Sequence, residues 1–166
     1  MDDLDTSLLR LLLEEPRAGM REYARVLGVA RGTVQARLGR LEQSGVIASY
    51  APQLSAAMMG YPVLAFVHLH LAQGRLDEVT AALHAVPEVL EAHSIAGEGD
   101  LVCRVAAREN AHLEDVIQQL IRLPGVVRTK TEVVLSERVA RRTLPLVLRA
   151  DDRPPRPAPQ NPAHRR

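Results

Sequence analysis

A glycine-rich segment, Gly97-Glu98-Gly99-Asp100, carries the groups best suited to bind a small charged molecule. Two glycines in four residues permit backbone conformations that expose N–H groups, and exposed N–H groups bind a carboxylate. The carboxylate of Asp100 can bind an ammonium group. The segment therefore fits the zwitterion of an amino acid, although an ordinary hairpin turn with a polar tip fits the same residues.

Residues 31–40 hold polar and basic side chains at a spacing suited to DNA, with three arginines and no acid. Thr33 and Gln35 fall in the first turns of a predicted helix, where a recognition helix meets base edges. A plain three-helix domain with a solvated arginine face fits the same pattern. Arginine is the usual basic residue throughout this chain, since Lys130 is the only lysine among 21 basic residues, so a group of arginines need not mark a DNA-binding surface. The candidate DNA-binding residues are Arg31, Thr33, Gln35, Arg37 and Arg40, the last two expected to touch phosphates or to brace the fold.

Three histidines could in principle bind a metal ion or haem. His68 and His70 lie two residues apart on one face of a predicted strand, and His93 is expected nearby. No Cys, Asp or Glu stands at ligand spacing, so we predict interface or surface histidines, no metal site and no cofactor. Cys103 is expected in the core. Because it is the only cysteine, a disulfide framework is excluded. Phosphate-loop, nicotinamide and Ser-His-Asp patterns are absent, so we predict no enzyme.

Three predicted helices and a strand position the 31–40 stretch. Apolar residues at helical spacing begin at Leu4, with Asp5 or Thr6 as the cap. Gly28 and Gly45 are expected to end the second and third helices. Two helices joined around a glycine, followed by a strand, predict a winged helix-turn-helix DNA-binding domain. The predicted bounds are a first helix ending at Glu14-Glu15-Pro16, helices over 20–27 and 31–44, a strand over 46–51, and a domain over 1–53.

The glycine-rich segment lies inside a second pattern, of order β-α-β-β-α-β, which predicts a ferredoxin-like domain and an α+β chain. Both helices should cover one face of the sheet. The other face is half polar and half apolar, a poor solvent surface but a good interface for a homodimer. The predicted strands are 63–71, 89–96, 101–107 and 126–135, the helices are 75–86 and 110–122, and the exposed face holds Leu64, Phe66, His68, His70, Arg104, Arg128, Lys130 and Glu132.

The remaining segments complete the predicted organisation. Residues 54–62 form a linker, and the ferredoxin-like domain extends over 63–148. Residues 149–166 are rich in Pro and Arg, so we predict a disordered tail that is either dispensable or adds weak, salt-sensitive affinity for DNA. The acidic N-terminus does not resemble a signal peptide, and no apolar run approaches 18 residues. We therefore expect a cytoplasmic protein without a membrane partner.

The ordered combination of these features resembles the Lrp/AsnC family, the leucine-responsive regulators of bacteria and archaea, over residues 3–137. The resemblance implies a transcriptional regulator with a winged helix and a ligand-binding, oligomerising domain of the RAM type, which binds double-stranded DNA as dimers or octamers. The matching residues are Leu4-Asp5, Leu27-Gly28-Val29-Ala30, Thr33-Val34, Arg37-Leu38, Leu41-Glu42, Gly45-Val46-Ile47, Tyr50, Gly60, Gly97-Glu98-Gly99-Asp100 and Thr131.

The resemblance also implies a small-molecule effector, typically an amino acid, held between dimers near the hairpin. The ligand-binding residues it implies are Gly97, Glu98, Gly99, Asp100 and Thr131. Ala30 stands where the family commonly has a serine, and Gly99 stands where many members have an aromatic residue. The first change removes a capping hydroxyl before the recognition helix, and the second removes one wall of the pocket.

Two other functions fit the same two-domain architecture. A tetrapyrrole decarboxylase of the sirohaem-decarboxylase type would need a haem-binding histidine and a basic site in the second domain. An architectural protein that compacts DNA would need no effector. The residues that keep the enzyme alternative open are His68, His70, His93 and Arg104.

Overall fold

Residues 1–149 are described in the computed structural model of this chain, and their contacts divide them into two units. The first unit contains Met1–Ala51 and residues 140–149, and the second contains Pro52–Val139. Apart from Arg149, the tail predicted to be disordered lies outside the described residues. Among those residues, no helix is long and apolar enough to cross a membrane.

The described part of the chain contains six α-helices, four strands and one short 3-10 helix. The helices are α1 Asp3–Glu14, α2 Met20–Leu27, α3 Arg31–Gln43, α4 Leu76–Leu83, α5 Asn110–Ile121 and α6 Leu144–Arg149; the strands are β1 Val63–Leu71, β2 Val89–Ser94, β3 Leu101–Ala107 and β4 Val126–Val133; the 3-10 helix is Ala57–Met59.

The first three helices pack their apolar stripes into one core, which includes Leu8, Tyr23 and Val34. Helix α1 begins earlier than predicted, because Asp2 and Asp5 cap it reciprocally. The Asp5 N–H donates to Asp2 at 2.9 Å, and the Asp2 N–H donates to Asp5 at 3.2 Å. The prediction of Asp5 or Thr6 as the cap was therefore wrong: Asp5 occupies the third helical position and completes a capping box.

The strand predicted over residues 46–51 does not form in the first unit. A strand needs a neighbouring segment to take up its backbone hydrogen bonds. No other segment of residues 1–149 pairs with it, and its backbone is bonded locally instead, the Ile47 N–H donating to the Leu41 carbonyl at 3.1 Å. The helix-turn-helix is thus present without a strand in the wing position.

The second unit is an antiparallel sheet of order β2-β3-β1-β4 with α4 and α5 on one face, which confirms the predicted α+β class. Residues Ala65, Val67 and Leu69 of β1 are fully buried beneath the helices. The strand predicted to reach residue 135 ends at Val133, because pairing with β1 stops near there. Because side chains alternate between the two faces of a strand, the even-numbered residues of β1 lie on the sheet face opposite the helices.

Helix α6 packs in the first unit, although the predicted domain bounds assigned residues up to 148 to the second. Val147 is half-buried against the apolar core of the helix-turn-helix. Apolar residues dominate this short helix, and α1 offers them a surface to cover. Pro145 stands in the first turn, where its missing N–H leaves no helical hydrogen bond unmade.

Candidate DNA-binding surface and ligand site

The exposed surface of α3 follows from its buried stripe. Val34, Leu38 and Leu41 face the core, so the helix turns its other side to solvent. Arg31 and Gln35 are exposed in its first turns, and Thr33 is half-buried beside them. These three predicted base-reading residues therefore lie at the N-terminal end of one accessible helix.

The N-terminus of α3 is also suited to contact a phosphate. Ala30 is its N-cap residue and supplies no side-chain hydrogen bond, and no acidic residue stands in the first turn. The first N–H groups of a helix are unsatisfied inside the helix and carry a partial positive charge. The first N–H groups of α3 are therefore left for an acceptor from outside the helix.

The last two predicted DNA-binding residues are engaged with the start of α1. Arg37 lies 2.6 Å from Asp2 and 2.8 Å from Asp5, and Arg40 lies 2.9 Å from Asp5. These contacts brace α3 against α1, one of the two predicted roles. The Arg40 side chain is 60% exposed and keeps access to solvent, whereas that of Arg37 is only 22% exposed.

The ion pairs shift the titration of both carboxyl groups. The hydrogen bond from Arg37 lowers the pKa of Asp2 to about 2. Burial raises the pKa of Asp5, but hydrogen bonds from Arg37, the Asp2 backbone and Arg40 outweigh it and leave the pKa below its ordinary value. Both carboxylates are therefore held in the charged form that the arginines need.

The glycine-rich hairpin folds against the end of β1. The Asp100 N–H donates to the Leu69 carbonyl at 2.9 Å, and the Leu71 N–H donates to the Asp100 carboxylate at 2.7 Å. Asp100 therefore has a structural role, and its Oδ1 atom accepts no hydrogen bond from residues 1–149. That oxygen is available to an ammonium group.

Gly99 cannot be replaced without strain. Its φ of 97° lies in the left-handed region, and a Cβ there would stand 3.3 Å from the Leu69 carbonyl oxygen. Gly97 also has a positive φ, of 131°, but a Cβ there would meet open space. The positive φ of Gly99 and its close approach to β1 therefore favour glycine at this position of this chain.

The structure joins four of the five predicted ligand residues and separates the fifth. Glu98 lies 3.2 Å from Lys130 and 3.5 Å from Arg128, which lie on the open face of the sheet. Thr131 pairs with buried Val67, so its side chain lies on the helix-covered face. The hairpin residues thus form one cluster, with Thr131 on the other side of β4. Sequence reasoning missed Arg128 and Lys130 as partners of Glu98, although their alternation on β4 was visible.

The open face of the sheet, defined by Leu64, Phe66, His68 and His70 of β1 and their neighbours, mixes apolar and charged groups. Phe66 is 39% exposed at its centre. Arg104 bonds Glu91 at 3.1 Å on one side, and Glu132 lies 3.7 Å from His68 on the other. The Nδ1 atom of His68 and the Nε2 atom of His70 are buried and accept or donate no hydrogen bond within residues 1–149.

The three histidines do not converge. Val102 lies between His93 and His68 in the sheet register. Among the residues the structure describes, no group of three His, Cys, Asp or Glu side chains could hold a metal ion. Burial raises the pKa of Cys103 to about 11, as for an inert core thiol.

Comparison with known proteins matches both units. A family model described as a winged helix-turn-helix DNA-binding domain matches residues 1–48, and one described as the Lrp/AsnC ligand binding domain matches residues 64–144. The transcriptional regulator LrpA of Mycobacterium tuberculosis is 34% identical over 137 residues, covering 82% of this chain and 91% of that protein.

Solved structures agree with these matches. E. coli AsnC superposes with a TM-score of 0.81 at 26% identity, covering 87% of this chain and 99% of that one. A feast or famine regulatory protein from M. tuberculosis, solved in complex with L-methionine, gives a TM-score of 0.78 at 31% identity. The match covers 86% of this chain and 97% of that one. These relatives are named as transcriptional regulators, so the decarboxylase alternative has no support. With an exposed helix-turn-helix and a sheet unit that both match, this chain belongs to the Lrp/AsnC family of DNA-binding transcriptional regulators.

Proposed function

We propose that this regulator reads its operator with the first two turns of α3 and that an amino acid bound at the Gly97–Asp100 hairpin modulates DNA binding. The observation that carries the proposal is the N-terminal end of α3, where Arg31 and Gln35 are exposed beside uncapped backbone N–H groups. The ion pairs of Arg37 and Arg40 support it, because they fix the orientation of α3 on the domain. Arg40 is exposed enough to add a phosphate contact.

The proposed division of labour assigns residues 1–53 to DNA binding, 54–62 to a linker and the sheet from 63 onward to ligand binding and assembly. Helix α6 joins the first of these parts. The mixed open face around Phe66 supports a homodimer, and a symmetric dimer implies a roughly palindromic operator. We place the protein in the cytoplasm, since its target is DNA. Ligand would act by favouring one assembly state or one spacing of the DNA-binding domains.

Base reading can be tested with single substitutions in α3. Arg31→Ala and Gln35→Ala should each weaken binding by about 1–3 kcal/mol and relax the preference at one operator position. Arg10→Ala, which changes an exposed arginine of α1 paired with Glu14, is the matched control and should leave the preference intact. Binding to operators mutated one base pair at a time measures both effects. Equal losses on every sequence would reduce these residues to phosphate contacts.

The effector site can be tested by a thermal-shift screen of the amino acids on the full chain. The available oxygen of Asp100 and the exposed hairpin support an amino acid, as does the L-methionine complex of the M. tuberculosis protein. A ligand present at 100 times its Kd should stabilise the protein by about 2.7 kcal/mol. Asp100→Asn keeps an acceptor for the Leu71 N–H but loses the charge, so it should abolish the shift. A shift that survives in Asp100→Asn would place the effector elsewhere.

A further inference from the structure

A cleft in the first unit shares only Gln35 with the two sites described above. Its volume is about 540 Å³. Its walls include Met20 and Tyr23 of α2, Leu38 and Glu42 of α3, and Tyr50, which follows α3. Small-molecule sites in proteins typically span roughly 300–1,000 Å³ and combine apolar walls with a few polar groups. The cleft has that size and that composition.

The charge of the cleft selects its occupant. Among the lining residues in the described part of the chain, Glu42 is the only charged one. The Tyr50 hydroxyl donates to Oε1 of Glu42 at 2.7 Å, and Oε2 accepts no hydrogen bond from residues 1–149. Burial and the neighbouring Glu42 raise the pKa of Tyr50 to about 12, so the hydroxyl stays a donor at neutral pH. One carboxylate oxygen is thus oriented by the protein and open to a cation.

Aromatic rings add to the same preference. Tyr23 is 4% exposed, and its hydroxyl donates to the Glu15 carbonyl at 2.8 Å, which fixes the ring. Tyr50 also lines the cleft, and its hydroxyl is bonded to Glu42. A cation near the face of a tyrosine is attracted by the ring quadrupole, and Met20 and Leu38 offer apolar surface beside it.

We propose that this cleft binds a small organic cation with a flat apolar body, the ammonium group on Oε2 of Glu42 and the body against Met20 and Leu38. No basic residue among residues 1–149 lines the cleft, so it does not suit an amino acid carboxylate and differs in chemistry from the hairpin site. Gln35, a predicted base-reading residue, also lines it, so the occupant would contact the DNA-binding helix.

Titration of the full chain with 2-phenylethylammonium chloride, followed by amide NMR shifts, tests the proposal. We expect saturable shifts at Gly39 and Tyr50 with a Kd on the order of 1 mM, as suits so small a ligand. Neutral 2-phenylethanol should bind at least about tenfold more weakly, since it lacks the charge. Equal binding of the two compounds, no saturable shift, or shifts confined to the second unit would overturn the proposal.

Two variants make the test specific to Glu42. Glu42→Gln keeps an acceptor for Tyr50 but removes the charge, so it should weaken the ammonium at least about tenfold and leave the alcohol unchanged. Glu14→Gln removes an exposed carboxylate of α1 that does not line the cleft, and it should bind like the unchanged protein. Dispersed spectra of both variants establish that they are folded. Wild-type affinity in folded Glu42→Gln would contradict the proposal.

Discussion

At the scale of single residues, the carboxylates at the start of α1 determine how firmly α3 is held. Asp5 is 2% exposed and contacts both Arg37 and Arg40, while Asp2 caps α1 and contacts Arg37. A buried ion pair is weak support for stability in itself, because desolvation offsets much of the attraction. Its geometric consequence is clearer: the recognition helix has one orientation relative to α1.

Acid should weaken the contact between α1 and α3. The fold lowers the pKa of Asp2 from 3.8 to about 2 and that of Asp5 in the same direction. A lowered pKa in the folded state means that the stabilisation is complete above about pH 4 and is lost as the pH falls towards about 2. The protection factors of amide hydrogen exchange in α1 and α3, which correct for the intrinsic effect of pH on exchange, should fall over that range. Asp2→Asn keeps a good N-cap but cannot titrate, so it should flatten part of the pH dependence. A pH profile identical to that of the unchanged protein would contradict the role of Asp2.

At the scale of elements, the hairpin between β2 and β3 joins the ligand-binding proposal to the sheet. Gly99→Ala should destabilise the second unit by about 1–3 kcal/mol, because it combines a positive φ with a contact to the Leu69 carbonyl. Gly97→Ala shares the positive φ but meets open space, so its cost should be smaller. Denaturant unfolding of both variants measures the difference. Equal costs would mean that the close approach to β1 does not matter.

Helix α6 gives a second prediction at this scale. Val147 packs on the core of the first unit, whereas Leu146 is 70% exposed. Val147→Asp should detach α6 and speed amide exchange in α1, since a partly buried aspartate would lack a partner. Leu146→Asp, one position away, should leave exchange in α1 unchanged. If both variants behave alike, the packing of α6 contributes nothing to the first unit.

Sequence patterns predicted β1, β3 and α2 with the bounds that the structure has, because turn residues and regular apolar spacing delimit them. They could not predict contacts between distant residues. The ion pairs of Arg37 and Arg40 join residues that lie 32 or 35 positions apart in the chain. Local sequence patterns do not extend over that distance. The same reason explains α6, whose docking surface is at the other end of the chain. The strand predicted over 46–51 does not form, because the sequence of a segment does not show whether a pairing partner is present.

At the scale of the whole molecule, the open face of the sheet should form the homodimer. Phe66 is partly exposed between the Arg104–Glu91 pair and Glu132. Phe66→Glu would bury a carboxylate in the interface beside Glu132, where the neighbouring Arg104 is already bonded to Glu91, which costs several kcal/mol, so light scattering should show a monomer. Ile121→Glu, on the exposed side of α5, should remain at least dimeric. A dimer that survives Phe66→Glu would move the interface elsewhere.

As a member of this family, the protein should recognise a specific DNA sequence. Fluorescence anisotropy of the full chain on its own promoter and on a scrambled duplex of equal length, both at about 0.15 M salt, tests it most directly, because salt suppresses non-specific phosphate binding. We expect the affinity for the promoter to be at least about a thousandfold higher than that for the scrambled duplex, the lower end of the range for specific regulators. Equal affinity for the two duplexes would contradict it.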